Sequence, residues 1–350
     1  MKKLMAIILS LAIILGITAC GESTDQPEDI VESVANDEYT GGSTADETGE
    51  TAPLDEPEPE LEEIPVPSDI TPLFWLVTAP GGQEMYIFGS FHAAEESIYP
   101  LPDKIMNAFN NSDYLAVEVD LVAFEEDIAA LTAYSFAMVY GKGESIYDDI
   151  DAEPVERAKE TIVELGLADA IGVPVEMLDM FRPFFWTQLF TQAAIEQSSL
   201  DVEYGLDVFF ISEAREQGME ILEIESAESQ IALFLGFSPA LMTFLIEEGL
   251  DVQAAAAEID NLYEIWKRGD EQEFEDIFNT NDGMPEELYK EYTDGLLTQR
   301  DIEMARVAME YMDEGLNVFY VVGLAHLIGE NSVTGILRAN GYTVEIVPVN

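Results

Sequence analysis

The chain has 350 residues, is 48 % apolar, and sets 71 acidic against 14 basic side chains, for a formal charge of −57. That length holds one large domain or two small ones, with enough apolar residues for a sizeable core. So acidic a surface repels phosphate, which excludes nucleic acid as a partner, and the single cysteine, Cys20, excludes an intramolecular disulfide and a cysteine-based zinc site.

Met1–Ala19 opens with Lys2 and Lys3 and continues into the apolar run Leu4–Ile17. This is the pattern of a secretory signal peptide, and the run is too short for a comfortable membrane span. Ile17-Thr18-Ala19-Cys20 resembles a bacterial lipobox, which makes Cys20 the lipidation site and its acyl chains (palmitate or similar) the membrane anchor. The plainer alternative is an ordinary signal peptide whose cysteine is incidental. Residues 20–69 are rich in Asp, Glu, Pro, Gly, Ser and Thr and contain no Lys or Arg. Such a segment cannot offset its ordering entropy and reads as an acidic, disordered tether. The expected location is therefore the extracytoplasmic face of the cell membrane, through a lipid anchor.

Residues 70–350 form the expected folded domain. Leu73–Thr78 and Met85–Phe88 are apolar and β-prone, and the Pro-Gly-Gly-containing stretch between them predicts a hairpin. A helix is expected over Pro102–Asn110 and a strand over Tyr114–Val119, whose continuous apolar character predicts burial on both faces. Helical spacing then covers Leu121 to about Tyr140 and Glu153–Leu165. Phe181–Trp186 opens an aromatic-rich helix that is either core or the wall of a cleft. A helix over Gly205–Gln217 stops at Gly218, and Met219–Ile224 is a strand. Three helices are expected between Ala227 and Arg268, with more over Glu271–Asn279 and Glu286–Glu314. The strand Leu316–Val322, the helix Ser332–Ala339 and the strand Thr343–Val347 close the chain. The fold class is α/β: a central mixed sheet from two βαβ-like halves, with a large helical insertion between them.

Both histidines of the chain, His92 and His326, sit at the fourth position of a Gly-x-x-His directly after a strand, with Gly89 and Gly323 at the first. With 24 glycines in 350 residues, two such coincidences have a chance of roughly 0.005. Strand ends of this type are where an α/β sheet places its chemistry. Glu118 interrupts the apolar strand Tyr114–Val119. It is either a buried carboxylate in need of a partner or an edge residue facing solvent.

These residues resemble the TraB/GumN family over roughly Leu73 to Pro348. The resemblance rests on Gly89/His92, Glu118, Arg300 and Gly323/His326, with support from Gly205-Leu206-Asp207, from Gln230 and from Leu222-Glu223-Ile224-Glu225, where Glu223 or Glu225 is a possible supporting acid of the site. At Asp301 the family often has Asn. The resemblance implies an α/β fold related to erythromycin esterases and haem-binding ChaN-like proteins, and metal-dependent proteolysis as in the TIKI members.

The leading expectation is thus a metal-dependent hydrolase, a peptidase above all. His92 and His326 would hold a divalent transition metal (Zn, Mn or Co), with Glu118 as third ligand or as general base. Arg300 would stabilise an oxyanion, lock Glu118, or make no more than a helix-surface ion pair. Two other readings remain: a metal-free hydrolase with a histidine base, and a surface protein that captures a peptide or haem-like ligand. The expected partner is a peptide or small-molecule substrate.

Overall fold

The computed structural model of the protein describes residues 68–278, 280–281 and 283–349. The expected signal peptide, Cys20 and the expected tether up to residue 67 lie outside the described residues. In chain order the elements are β1 Phe74–Thr78, β2 Glu84–Ser90, α1 Asp103–Asn110, β3 Tyr114–Val117, α2 Leu121–Glu126, α3 Ile128–Ala137, α4 Ala152–Glu164 and α5 Leu167–Ala170. They continue with α6 Pro183–Gln197, α7 Leu206–Gln217, β4 Glu220–Glu223, α8 Ala227–Leu235, α9 Pro239–Gly249, α10 Val252–Arg268, α11 Glu271–Phe278 and α12 Glu286–Thr293. A π-helical turn, Asp294–Thr298, leads into α13 Gln299–Asp313, followed by β5 Val318–Gly323, α14 Val333–Ala339 and β6 Thr343–Ile346.

The six strands form one mixed sheet in the order β4-β3-β5-β2-β1-β6. β1 is antiparallel to both its neighbours, and β2, β5, β3 and β4 run parallel to one another. The two expected βαβ-like halves are interleaved rather than side by side. β2–α1–β3 steps over the place that β5 fills, and β5–α14–β6 steps over β2 and β1. Interleaving is what makes β2 and β5 direct neighbours, with Gly89 opposite Val322 and Ser90 opposite Gly323.

β5 is buried at every position because both faces of the sheet are covered, which explains its unbroken apolar run. On one face Phe319 packs against Phe109 of α1 and Phe210 of α7, with ring centroids 5.6 and 5.0 Å apart. On the other, the Tyr320 hydroxyl donates to the Met304 carbonyl of α13. The helical middle is organised on α6, whose aromatic start is core: Phe184, Phe185, Trp186 and Phe190 are all buried. Gly249 lets α9 approach it, since a Cβ there would meet Phe190 Cβ at 2.9 Å.

Two expected helices are broken. The span from Leu121 divides at Asp127, whose carboxylate accepts from the Ala129 and Ala130 amides and so starts α3 anew. The span Glu286–Glu314 holds the π-helical turn, at Gly295, which lies under the Phe237 ring.

Candidate active site

The parallel strands β4, β3, β5 and β2 deliver Glu225, Glu118, His326 and His92, in that order, just beyond their C-terminal ends. This is the edge of an open sheet where crossovers leave room for a site. All four approach one another, with Arg300 from α13 and Gln230 from α8.

The two motif glycines have reciprocal steric roles. A Cβ on Gly89 would meet Leu324 Cδ1, inside the second motif, at 2.6 Å. A Cβ on Gly323 would meet His92 Nε2 at 3.2 Å and Glu118 Oε1 at 3.3 Å. Each glycine therefore makes room for the opposite motif, which is a physical reason for the repeated pattern. Trp266 fixes the first strand end by donating its indole N–H to the Gly89 carbonyl at 2.8 Å.

Each imidazole is held from behind by a carboxylate. His92 Nδ1 lies 2.6 Å from Asp207 Oδ2, a close charge contact, and Ser90 Oγ donates to Asp207 Oδ1 at 2.9 Å. Asp207 stands in the first turn of α7, which docks through the Leu206 amide on the Phe91 carbonyl at 3.0 Å. Gly205 permits that docking, because a Cβ there would run into the His92 carbonyl. His326 Nδ1 is hydrogen-bonded to Asp301 Oδ1 at 2.6 Å. Asp301, left without a role by the sequence, thus has one, and Asp207 joins the site from a stretch singled out only as part of a motif. The signal for Asp301 was its place next to Arg300. On a helix the two point about 100° apart, and here one serves Glu118 and the other His326.

Glu118 is buried and occupied on both oxygens. Oε2 accepts from Arg300 Nη2 at 2.5 Å and from Gln230 Nε2 at 3.3 Å, and Oε1 accepts from the Gly323 amide at 2.8 Å. Its Oε1 is 3.9 Å from His326 Nε2. The solvent-facing reading of Glu118 does not hold, and neither does a helix-surface role for Arg300, which is 7 % exposed. Arg300 Nε also donates to Glu225 at 3.0 Å and Nη1 to the Leu296 carbonyl at 3.2 Å. With these contacts the guanidinium is a lock on Glu118 and Glu225. Of the two candidate acids, Glu225 belongs to the site. Glu223 is exposed and accepts from the Asp120 amide at 2.9 Å, which ties down the loop after β3.

Burial alone would raise the Glu118 pKa, but Arg300 and the two histidines outweigh it and bring it to about 2. Burial works against the His92 imidazolium, yet the charges of Asp207 and Glu118 raise its pKa above the ordinary 6.5. Burial also raises Asp301, against the pull of His326. Glu118, Glu225, Asp207 and Asp301 set four carboxylates beside the one guanidinium of Arg300 and the two imidazoles in a nearly closed interior. Buried carboxylates need counterions or protons.

Two imidazoles and a carboxylate are side chains of the types that hold a divalent cation. Each Nδ1 faces a carboxylate, as in metal-bound histidines, His326 through a hydrogen bond and His92 through a 2.6 Å contact not aligned as one, and His92 Nε2 has no hydrogen-bond partner. Among the described residues no three His, Cys, Asp or Glu side chains already stand as a metal-holding group.

The fold and site define an α/β protein with paired strand-end histidines around a locked carboxylate. Residues 73–346 match the model of the TraB/PrgY/gumN family, and the chain belongs to it. The chain is 25 % identical over 263 residues to "Uncharacterized protein YbaP" of Escherichia coli (strain K12), a match covering 75 % of this chain and 90 % of the relative. The protein of the same name from Shigella flexneri matches with the same identity and coverage. No solved structure matches.

Proposed function

We propose that the protein is a metal-dependent hydrolase acting on peptides, tethered at the extracytoplasmic face of the membrane by a lipidated Cys20. The observation that carries the reading is the donor set of His92, His326 and Glu118, with each Nδ1 backed by its own carboxylate and an excess of buried carboxylates. His92 Nε2, His326 Nε2 and Glu118 Oε1 would hold the ion. When bound, such an ion polarises a scissile carbonyl and makes water a better nucleophile.

The chain's own residues do the rest. Asp301 holds the Nδ1 proton of His326 and the Asp207 carboxylate faces Nδ1 of His92, so that each Nε2 presents its lone pair. Both Glu118 oxygens are occupied, by Arg300, Gln230 and the Gly323 amide, so we assign it the role of ligand rather than general base. Arg300 and Gln230 keep that carboxylate oriented. Digestion of a peptide library, read by mass spectrometry, tests the reading. His92→Ala and His326→Ala should each abolish cleavage, and full activity in His92→Ala contradicts it.

The 2.6 Å contact of His92 with Asp207 also fits a second reading, a metal-free hydrolase in which His92 is the base. Cleavage that survives exhaustive chelation selects that reading.

A further inference from the structure

α3, Ile128-Ala-Ala-Leu-Thr-Ala-Tyr-Ser-Phe-Ala137, contains no charged residue. An uncharged helix of mostly apolar residues is ordinarily buried. Here only Tyr134 is buried, edge-on to Phe124 with centroids 6.2 Å apart, while Ile128 is 79 % and Phe136 76 % exposed. Ile128, Thr132 and Phe136 fall at i, i+4 and i+8, so they form one outward line, with exposed Ala129 and Ala133 beside it. The chain just after α3 pairs with the segment before α6. Residues 138 and 140 are joined to 182 and 180 by backbone hydrogen bonds, and Met177 and Met180 there are exposed. Methionines adapt to varied apolar partners. α3 is too short to cross a bilayer, and among the described residues no single helix is long and apolar enough to do so.

The surroundings of the patch decide its occupant. Glu125, Glu126 and Asp127 are exposed at one end of α3, and Glu144, Asp148 and Asp149 are exposed after the other. Residues 121–182 hold fourteen acidic against four basic side chains, a net charge of −10. A second copy of this chain, at −57, carries the same sign, and so does segment 20–66, which has no Lys or Arg. Anionic lipid headgroups are repelled likewise. Charge complementarity leaves a cationic partner.

We propose that the outward face of α3, with Met177 and Met180, docks a cationic amphipathic peptide segment, its apolar side on Ile128 and Phe136 and its basic side on the acidic rim. Such a surface sets apolar anchors inside a polar border. It does not depend on the hydrolase reading.

The test is calorimetric titration of the full chain with a synthetic amphipathic helical peptide of leucine and lysine, beside a control with glutamate replacing lysine. Binding of the lysine peptide, weakening as salt rises, is expected, with none for the control. Ile128→Ser/Phe136→Ser should weaken it about tenfold or more, as loss of apolar anchors does, with an unchanged circular dichroism spectrum. Phe136→Ser alone serves as a second variant should the pair unfold. Equal affinity in the variants, or equal binding of the glutamate peptide, overturns the proposal. So does self-association in sedimentation that Phe136→Ser abolishes, or binding to phosphatidylglycerol vesicles without peptide binding.

Discussion

His92 and His326 follow adjacent parallel strands in the same four-residue pattern, yet their supports come from different places. His92 leans on Asp207, at the start of α7 and 115 positions downstream, itself held by Ser90 from the same strand end as the histidine. His326 bonds Asp301, from α13 immediately before its own strand. The His92 contact is close but not aligned as a hydrogen bond, and the His326 contact is an aligned one. The pattern repeats the strand, the glycine and the imidazole, while the carboxylate that gives each imidazole its orientation is supplied separately. Between the two arms stands a shared hub, Glu118 with Arg300, which the pattern does not contain at all.

Perturbing the hub affects both arms and should have the largest effect. Arg300→Met leaves Glu118 and Glu225 buried without their cation, so denaturant unfolding should show a loss of about 3–5 kcal/mol. Perturbing one arm is milder and separates them. Asp207→Asn should cost about 10–100-fold in metal affinity through His92, and Asp301→Asn a similar factor through His326. With only two histidines in the chain, imidazole NMR reports which ring has changed. In the metal-free protein, a shift of both rings in either single variant would show that the arms are not independent. The smallest effect is a pH dependence belonging to the hub. Glu118 has a folded pKa of about 2, below its ordinary 4.5. A depressed carboxylate contributes stability that is fully present above about 4.5 and is lost as pH falls toward 2. The unfolding midpoint should fall over that window in the wild type and with a shallower slope in Arg300→Met.

The hub and arms also mark how far the sequence could be read. The strands ending at Gly89 and Gly323, and the acid after Tyr114–Val117, were legible because a parallel strand covered on both faces is a continuous apolar run with an abrupt polar stop. The placement of β5 between β2 and β3 was not legible, since no local pattern encodes which strand fills a gap in a sheet. Asp207 and Asp301 sit on helices among many other acids, and composition cannot distinguish one carboxylate aimed at a histidine from dozens facing water. The division at Asp127 is a capping effect that was visible in principle, because Asp followed by helix formers is a start signal even inside helical spacing. Glu225 was separable from Glu223 only by three-dimensional contact, through Arg300 and Gln230.

The central claim is that both arms and the hub serve one cation. Metal content by inductively coupled plasma mass spectrometry on the purified protein, beside His92→Ala/His326→Ala, tests it most directly. The many surface acids bind cations nonspecifically, so the difference between the two proteins is the quantity that matters. The account predicts about one transition metal ion per chain in the wild type, lost in the double variant. Equal, low metal in both would contradict it and favour a metal-free hydrolase or a binding protein.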